Sequence, residues 1–101
     1  MVKLLSVKPS TNKNKKLTAT FDVNGKKKEV SFGSAPNKDF TIYSKEDKKL
    51  ADQKKKAYIA RHKVNERWSD PLTAGSLSRY VLWNKPTIKA SIEDFKSKFN
   101  L

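Results

Sequence analysis

Leu17-Thr18-Ala19-Thr20-Phe21-Asp22-Val23, then Asn24-Gly25, then Lys26-Lys27-Lys28-Glu29-Val30-Ser31-Phe32 is the stretch on which the fold turns. Leu17, Ala19, Phe21 and Val23 alternate with polar residues, so a period of two places four apolar side chains on one face of a strand. Asn24 and Gly25 both tolerate positive φ and suit the two central positions of a type I′ turn, which folds Lys26 to Phe32 back on the first strand. Lys28, Val30 and Phe32 share a face of the returning strand, and Lys28 interrupts its apolar pattern.

Moving outward, Val2 to Val7 is apolar without strict alternation and reads as a short strand ended by Pro9 and Ser10. Residues Thr11 to Lys16 read as a basic loop, and Gly33 to Asp39 as a connection rich in turn formers. Phe40 to Tyr43 supplies a third short strand or an extended lead into a helix, and a third strand would relieve the marginal stability of a lone hairpin. Ser44 with Asp47 three residues on predicts the cap of a helix over Lys45 to His62. Its stripe is Leu50, Ala57, Tyr58 and Arg61, bridged by the aliphatic stem of Lys54.

Val64 to Leu72 is irregular in this reading. Thr73 caps a helix over Ala74 to Trp83 that points Leu77, Tyr80 and Val81 inward, and Pro86 limits its continuation. Ser91 with Asp94 caps a C-terminal helix striped by Ile92, Phe95 and Phe99. The expected architecture is α+β in one compact domain over residues 1–101: a small antiparallel N-terminal hairpin or sheet covered by about three C-terminal helices. Strand and loop dominate residues 1–43 and helix residues 44–101. The expected core is Phe21, Phe32, Phe40, Leu50, Tyr58, Leu77, Tyr80, Val81, Phe95 and Phe99.

A chain of 101 residues supports one core, which excludes a large multidomain enzyme. There is no Cys, so disulfides, thiolate nucleophiles and cysteine-ligated metals are excluded. The start of the chain reaches Lys3, Lys8 and Pro9 too soon for a signal peptide, and the expectation is a protein used inside a cell or a particle assembled there, without membrane insertion. No cofactor is expected, because neither a phosphate-binding glycine loop nor a dinucleotide fingerprint is present.

The charge is the outlying property. Lys and Arg number 23 against 10 Asp and Glu, a formal net charge of +13. Residues 1–40 carry net +6 and residues 41–101 net +7, so the folded body itself, and not one tail, attracts anions. Only Arg61, Arg67 and Arg79 offer a guanidinium fork, and Lys suits phosphate neutralisation better than reading of bases. The expected binding residues are Lys15, Lys16, Lys26, Lys27, Lys28, Lys48, Lys49, Lys54, Lys55, Lys56, Arg61 and Arg79. With six to ten phosphates contacted, the log–log salt slope on duplex DNA would be roughly −5 to −9. A solubilising surface is the competing reading of the same lysines.

Tyr58, Arg61, His62, Glu66, Trp68 and Arg79 form a second constellation, read either as a packing and hydrogen-bond network or as a phosphate pocket around Arg61, His62 and Arg79. His62, Glu66 and Asp70 are spaced by four, but Pro71 argues against one helix aligning them as metal ligands, so an enzyme is not expected.

Val30-Ser31-Phe32-Gly33, Asp39-Phe40-Thr41, Tyr58-Ile59-Ala60-Arg61-His62, Glu66-Arg67-Trp68 and the continuous stretch Thr73 to Thr87 together resemble a family of small basic proteins encoded by large double-stranded DNA viruses. The resemblance spans about residues 30–99 and brings no catalytic signature. It implies a viral origin and a role in the virion interior or the viral factory, with the host nucleus as another location. Combined with the charge, it leads to the expectation of non-specific binding, bridging and compaction of viral double-stranded DNA, with self-association through an exposed strand edge. The alternative is a minor capsid or capsid-associated structural protein whose lysines neutralise an acidic coat protein.

Overall fold

A computed structural model describes residues 2–35, 37–64 and 68–101. Strands β1 (Val2–Pro9), β2 (Lys15–Val23) and β3 (Lys26–Ser34) form one antiparallel sheet in the order β1-β2-β3. Helices α1 (Phe40–Glu46), α2 (Lys48–His62), α3 (Ala74–Leu77) and α4 (Ile88–Phe99) follow, with a π-helical segment (Ser78–Leu82) continuing α3. The expected α+β architecture is therefore present.

The hairpin has the register its alternation requires: Phe32 opposes Leu17, Val30 opposes Ala19 and Lys28 opposes Phe21. Asn24 and Gly25 hold φ of 55° and 89°, and the Asp22 carboxylate accepts the Gly25 N–H at 2.8 Å. β1 is the third strand, and its imperfect alternation has a cause. The register slips between Leu4 and Ser6, and Leu5, 50% exposed, is the extra residue of a bulge. Leu4 and Val7, three apart, thereby oppose Phe21 and Ala19, the inward-facing pair of β2.

One sheet face is polar. Thr18 Oγ1 lies 3.0 Å from Ser10 Oγ and 2.9 Å from Ser31 Oγ, a hydroxyl ladder across the strands. The other face packs on the C-terminal helices: Leu4, Ala19, Phe21 and Phe32 meet Leu77, Val81, Leu82 and Phe95 in one buried cluster. Phe40, Ala51 and Tyr58 are buried apart from that cluster, where α1 and α2 pack on each other.

Several expectations are corrected. Phe40 to Tyr43 is the first turn of α1 and not a strand, because Asp39 caps it, accepting Thr41 N–H at 2.9 Å and Ile42 N–H at 3.3 Å. The helical part thus begins at Phe40 rather than residue 44. Ser44 lies inside α1, and the cap belongs to Asp47, whose carboxylate accepts from Lys49 N and Leu50 N and divides the helical region into α1 and α2. Ser91 is likewise interior. Thr87 caps α4, while the buried Ser91 hydroxyl accepts Lys85 N–H at 2.9 Å and holds the preceding loop.

Lys15 and Lys16 open β2 instead of closing a loop. The stripe of α2 keeps Tyr58 as expected, but its earlier members shift by one residue, from Leu50 and Lys54 to Ala51 and Lys55. Ala51 and Tyr58 are buried with the half-buried Lys55 between them, while Leu50 is only half-buried and Ala57 and Arg61 are exposed. A lysine within the inward stripe hides the true period. Tyr80 and Phe99 are also half-buried, packed edge-on at 5.6 Å against the margin of the main core.

Candidate functional site

The turn that joins β2 to β3 leaves the opposite end of that hairpin, Lys15, Lys16, Gly33 and Ser34, facing the α1–α2 pair. Between them lies an open cleft of about 610 Å³. Its sheet wall is these four residues with Asn37, Lys38 and Asp39; its helical wall is Tyr43, Lys54, Ala57, Tyr58, Arg61 and His62. Trp83 extends the helical wall, and Ala74, Gly75 and Ser78 with Leu82 close the floor. The small floor residues leave space, and the helical wall supplies charge and rings.

Among the described residues, five Lys and Arg side chains line this cleft against the single carboxylate of Asp39. Asp39 is fully engaged: it accepts from the Lys16 ammonium at 2.7 Å, from the Thr41 hydroxyl and from the two capped amides. Lys16 and Asp39 side chains are 15% and 5% exposed, so the pair is a partly buried strut that pins β2 to the start of α1. Lys38 pairs with Glu46 at 2.8 Å on the surface, and that hydrogen bond and charge raise its ammonium above the ordinary lysine value of 10.5. Lys15, Lys54 and Arg61 are exposed and in no ion pair among the described residues.

The rings are stacked. Tyr58 lies between His62, at 4.4 Å, and Trp83, at 4.6 Å and nearly parallel, with Trp68 at 6.5 Å. Tyr43 tilts against Trp83 at 6.3 Å, and the Lys38 and Lys54 ammonium groups each sit 5.9 Å from the centre of its ring. The π-helical segment helps to set Trp83 here. Its wider turn, closed by the Trp83 N–H on the Ser78 carbonyl at 3.0 Å, rotates the residues that follow it.

Two other expected binding residues are engaged inside the fold. Lys55 donates to the Asn84 carbonyl at 2.9 Å beneath the Phe40 ring. Burial, then the nearby Arg79 and Lys85 charges, lowers its ammonium from the usual value. Arg79 donates to the Trp83 carbonyl at 2.8 Å and lies over the rings of Trp68 and Tyr80, so it belongs to the packing network and not to the cleft lining. The phosphate-pocket grouping of Arg61, His62 and Arg79 is therefore divided, with the first two on the cleft and the third behind it. Glu66 and Arg67 lie outside the described residues, as do any partners they would give Arg61 or Arg79. Among the described residues no group of three or more His, Asp or Glu side chains can hold a metal ion.

The remaining expected residues lie elsewhere. Lys26, Lys27 and Lys28 are exposed at the hairpin tip, and Lys48, Lys49 and Lys56 are exposed on α2. From Lys15 to Val23 the strand rises about 25 Å, so the tip and the cleft lie at opposite ends of the sheet. Lys38, Tyr43 and Trp83 were not expected in a site. The sequence leaves Tyr43 in a third strand or in an extended lead into a helix, and the stacking of Trp83 on Tyr58 joins residues 25 apart, which no local pattern encodes.

No helix among the described residues is long and apolar enough to cross a membrane. Comparison with protein-family models, with curated proteins and with solved structures finds no match to this chain.

Proposed function

We propose that this protein binds nucleic acid non-specifically through its phosphates and bridges separate segments, compacting long duplex DNA without chemical turnover. The observation that carries the reading is the fate of the charge. Against a formal excess of +13, the described residues form two ion pairs, and the lysines of the tip and of the outer face of α2 stand in solvent unpaired. Exposed ammonium groups without carboxylate partners are free to replace the counterions condensed on a polyanion. Their placement at two ends of the sheet supports bridging, because each end can engage a different segment. Viral DNA in a particle or factory, the setting implied by the sequence resemblance, is the target in this proposal.

The test is a salt series with long duplex DNA of unrelated sequences. Binding should weaken steeply and alike for all sequences as salt rises, and light scattering should report compaction at low salt. A slope near zero, or a strong preference for one sequence, would remove the electrostatic reading.

A further inference from the structure

We infer that the cleft at the α1–α2 end of the sheet is a binding site for unpaired nucleotides, engaging a phosphate and the face of an exposed base together. The inference rests on the nucleic-acid reading above and names a second substrate class for it. Tyr43 carries the argument. Its half-buried ring lines a cleft of about 610 Å³, and the ammonium groups of Lys38 and Lys54 lie over it, both 5.9 Å from its centre, on exposed side chains that swing aside as a base stacks.

An aromatic ring beside mobile cations is the arrangement by which proteins hold single strands, the ring stacking a base and the cations following the backbone. A duplex offers Tyr43 no such surface, because its bases are paired and stacked on one another. An acidic peptide would satisfy the amines and leave the ring without a flat partner. Trp83, stacked on Tyr58 and tilted toward Tyr43, stiffens the wall, so the ring is held in place before the ligand arrives. The Lys38–Glu46 pair is exposed and exchangeable, so Lys38 can turn to a phosphate.

The experiment compares a labelled thymidine pentanucleotide, long duplex DNA and poly-glutamate on the full chain, by anisotropy and tryptophan fluorescence. The pentanucleotide should bind, quench the fluorescence contributed by Trp83, and lose about tenfold in affinity in Tyr43→Leu, with duplex binding changed less than about twofold. Lys54→Gln, an exposed substitution that leaves the rings in place, should weaken the pentanucleotide more than the duplex, and Lys27→Gln at the tip should do the reverse. Circular dichroism checks that each variant is folded. If duplex binds with normal salt dependence while the pentanucleotide does not, this inference is overturned and the parent reading stands. Competition by poly-glutamate as strong as by the pentanucleotide would overturn it in favour of an acidic peptide. If pentanucleotide binds through Tyr43 and duplex does not, the cleft stands and the bridging proposal falls.

Discussion

The two ends of the sheet carry similar charge and offer different surfaces. At the tip, Lys26, Lys27 and Lys28 begin β3 just after a two-residue turn, opposite Val23, Asp22 and Phe21, and all three are exposed. At the other end the cations sit on a wall built from three separate parts of the chain, over a floor of small residues and beside stacked rings. A lysine on a bare turn can neutralise a phosphate but cannot place it. A cation fixed beside a ring can select what the phosphate is attached to. Net charge therefore describes the tip nearly completely and the cleft hardly at all.

The strongest way to break this comparison is to remove the body that separates the two ends. Phe21 is fully buried at the centre of the sheet. Phe21→Ala should cost about 3–5 kcal/mol, read as a lowered denaturation midpoint, and should make cleft and tip binding indistinguishable once the fold is lost. Gly33 sharpens the comparison because it lies on the cleft wall in the left-handed region, φ 82°, and a Cβ there would meet Leu82 Cδ1 at 2.6 Å. Gly33→Ala should destabilise by about 1–3 kcal/mol and weaken the cleft before the tip, checked by chemical denaturation alongside pentanucleotide binding.

Charge removal at the tip comes next in size. Replacing Lys26, Lys27 and Lys28 together by Gln should make the salt slope on duplex DNA shallower by roughly 2–3 and reduce compaction, with little effect on thermal stability. The smallest effect belongs to Glu46→Gln, which frees Lys38 from its surface partner. Pentanucleotide affinity should rise by about twofold, the expected scale for an exposed pair. Because the folded-state pKa of Lys38 is raised, the stability its pairing contributes is fully present below the ordinary lysine value of 10.5 and is lost as pH rises through the raised value. Melting curves of wild type and Glu46→Gln should therefore converge at strongly alkaline pH.

Local structure is legible in the residues alone. The Leu17 to Phe32 alternation around Asn24-Gly25 specifies the hairpin and its register, since a slip of one residue would turn Phe21 and Phe32 to solvent. Thr73 and the Ile92, Phe95, Phe99 stripe mark their helices for the same reason: a cap and a period of 3.6 act within a few residues. The charge excess is legible without any coordinates.

Which cations are available follows from how the elements pack. Lys16, Lys55 and Arg79 look no different in sequence from Lys15, Lys54 and Arg61, yet the first three are held by Asp39, the Asn84 carbonyl and the Trp83 carbonyl. The partners of Lys16 and Lys55 lie 23 and 29 residues away along the chain, while that of Arg79 is four residues on, reached across the wider turn of the π-helical segment. The assembly of Tyr43, Tyr58 and Trp83 into one wall has the same origin. Ring stacking joins Tyr58 of α2 to Trp83, just past the π-helical segment, and that non-local contact turns scattered aromatic residues into a site.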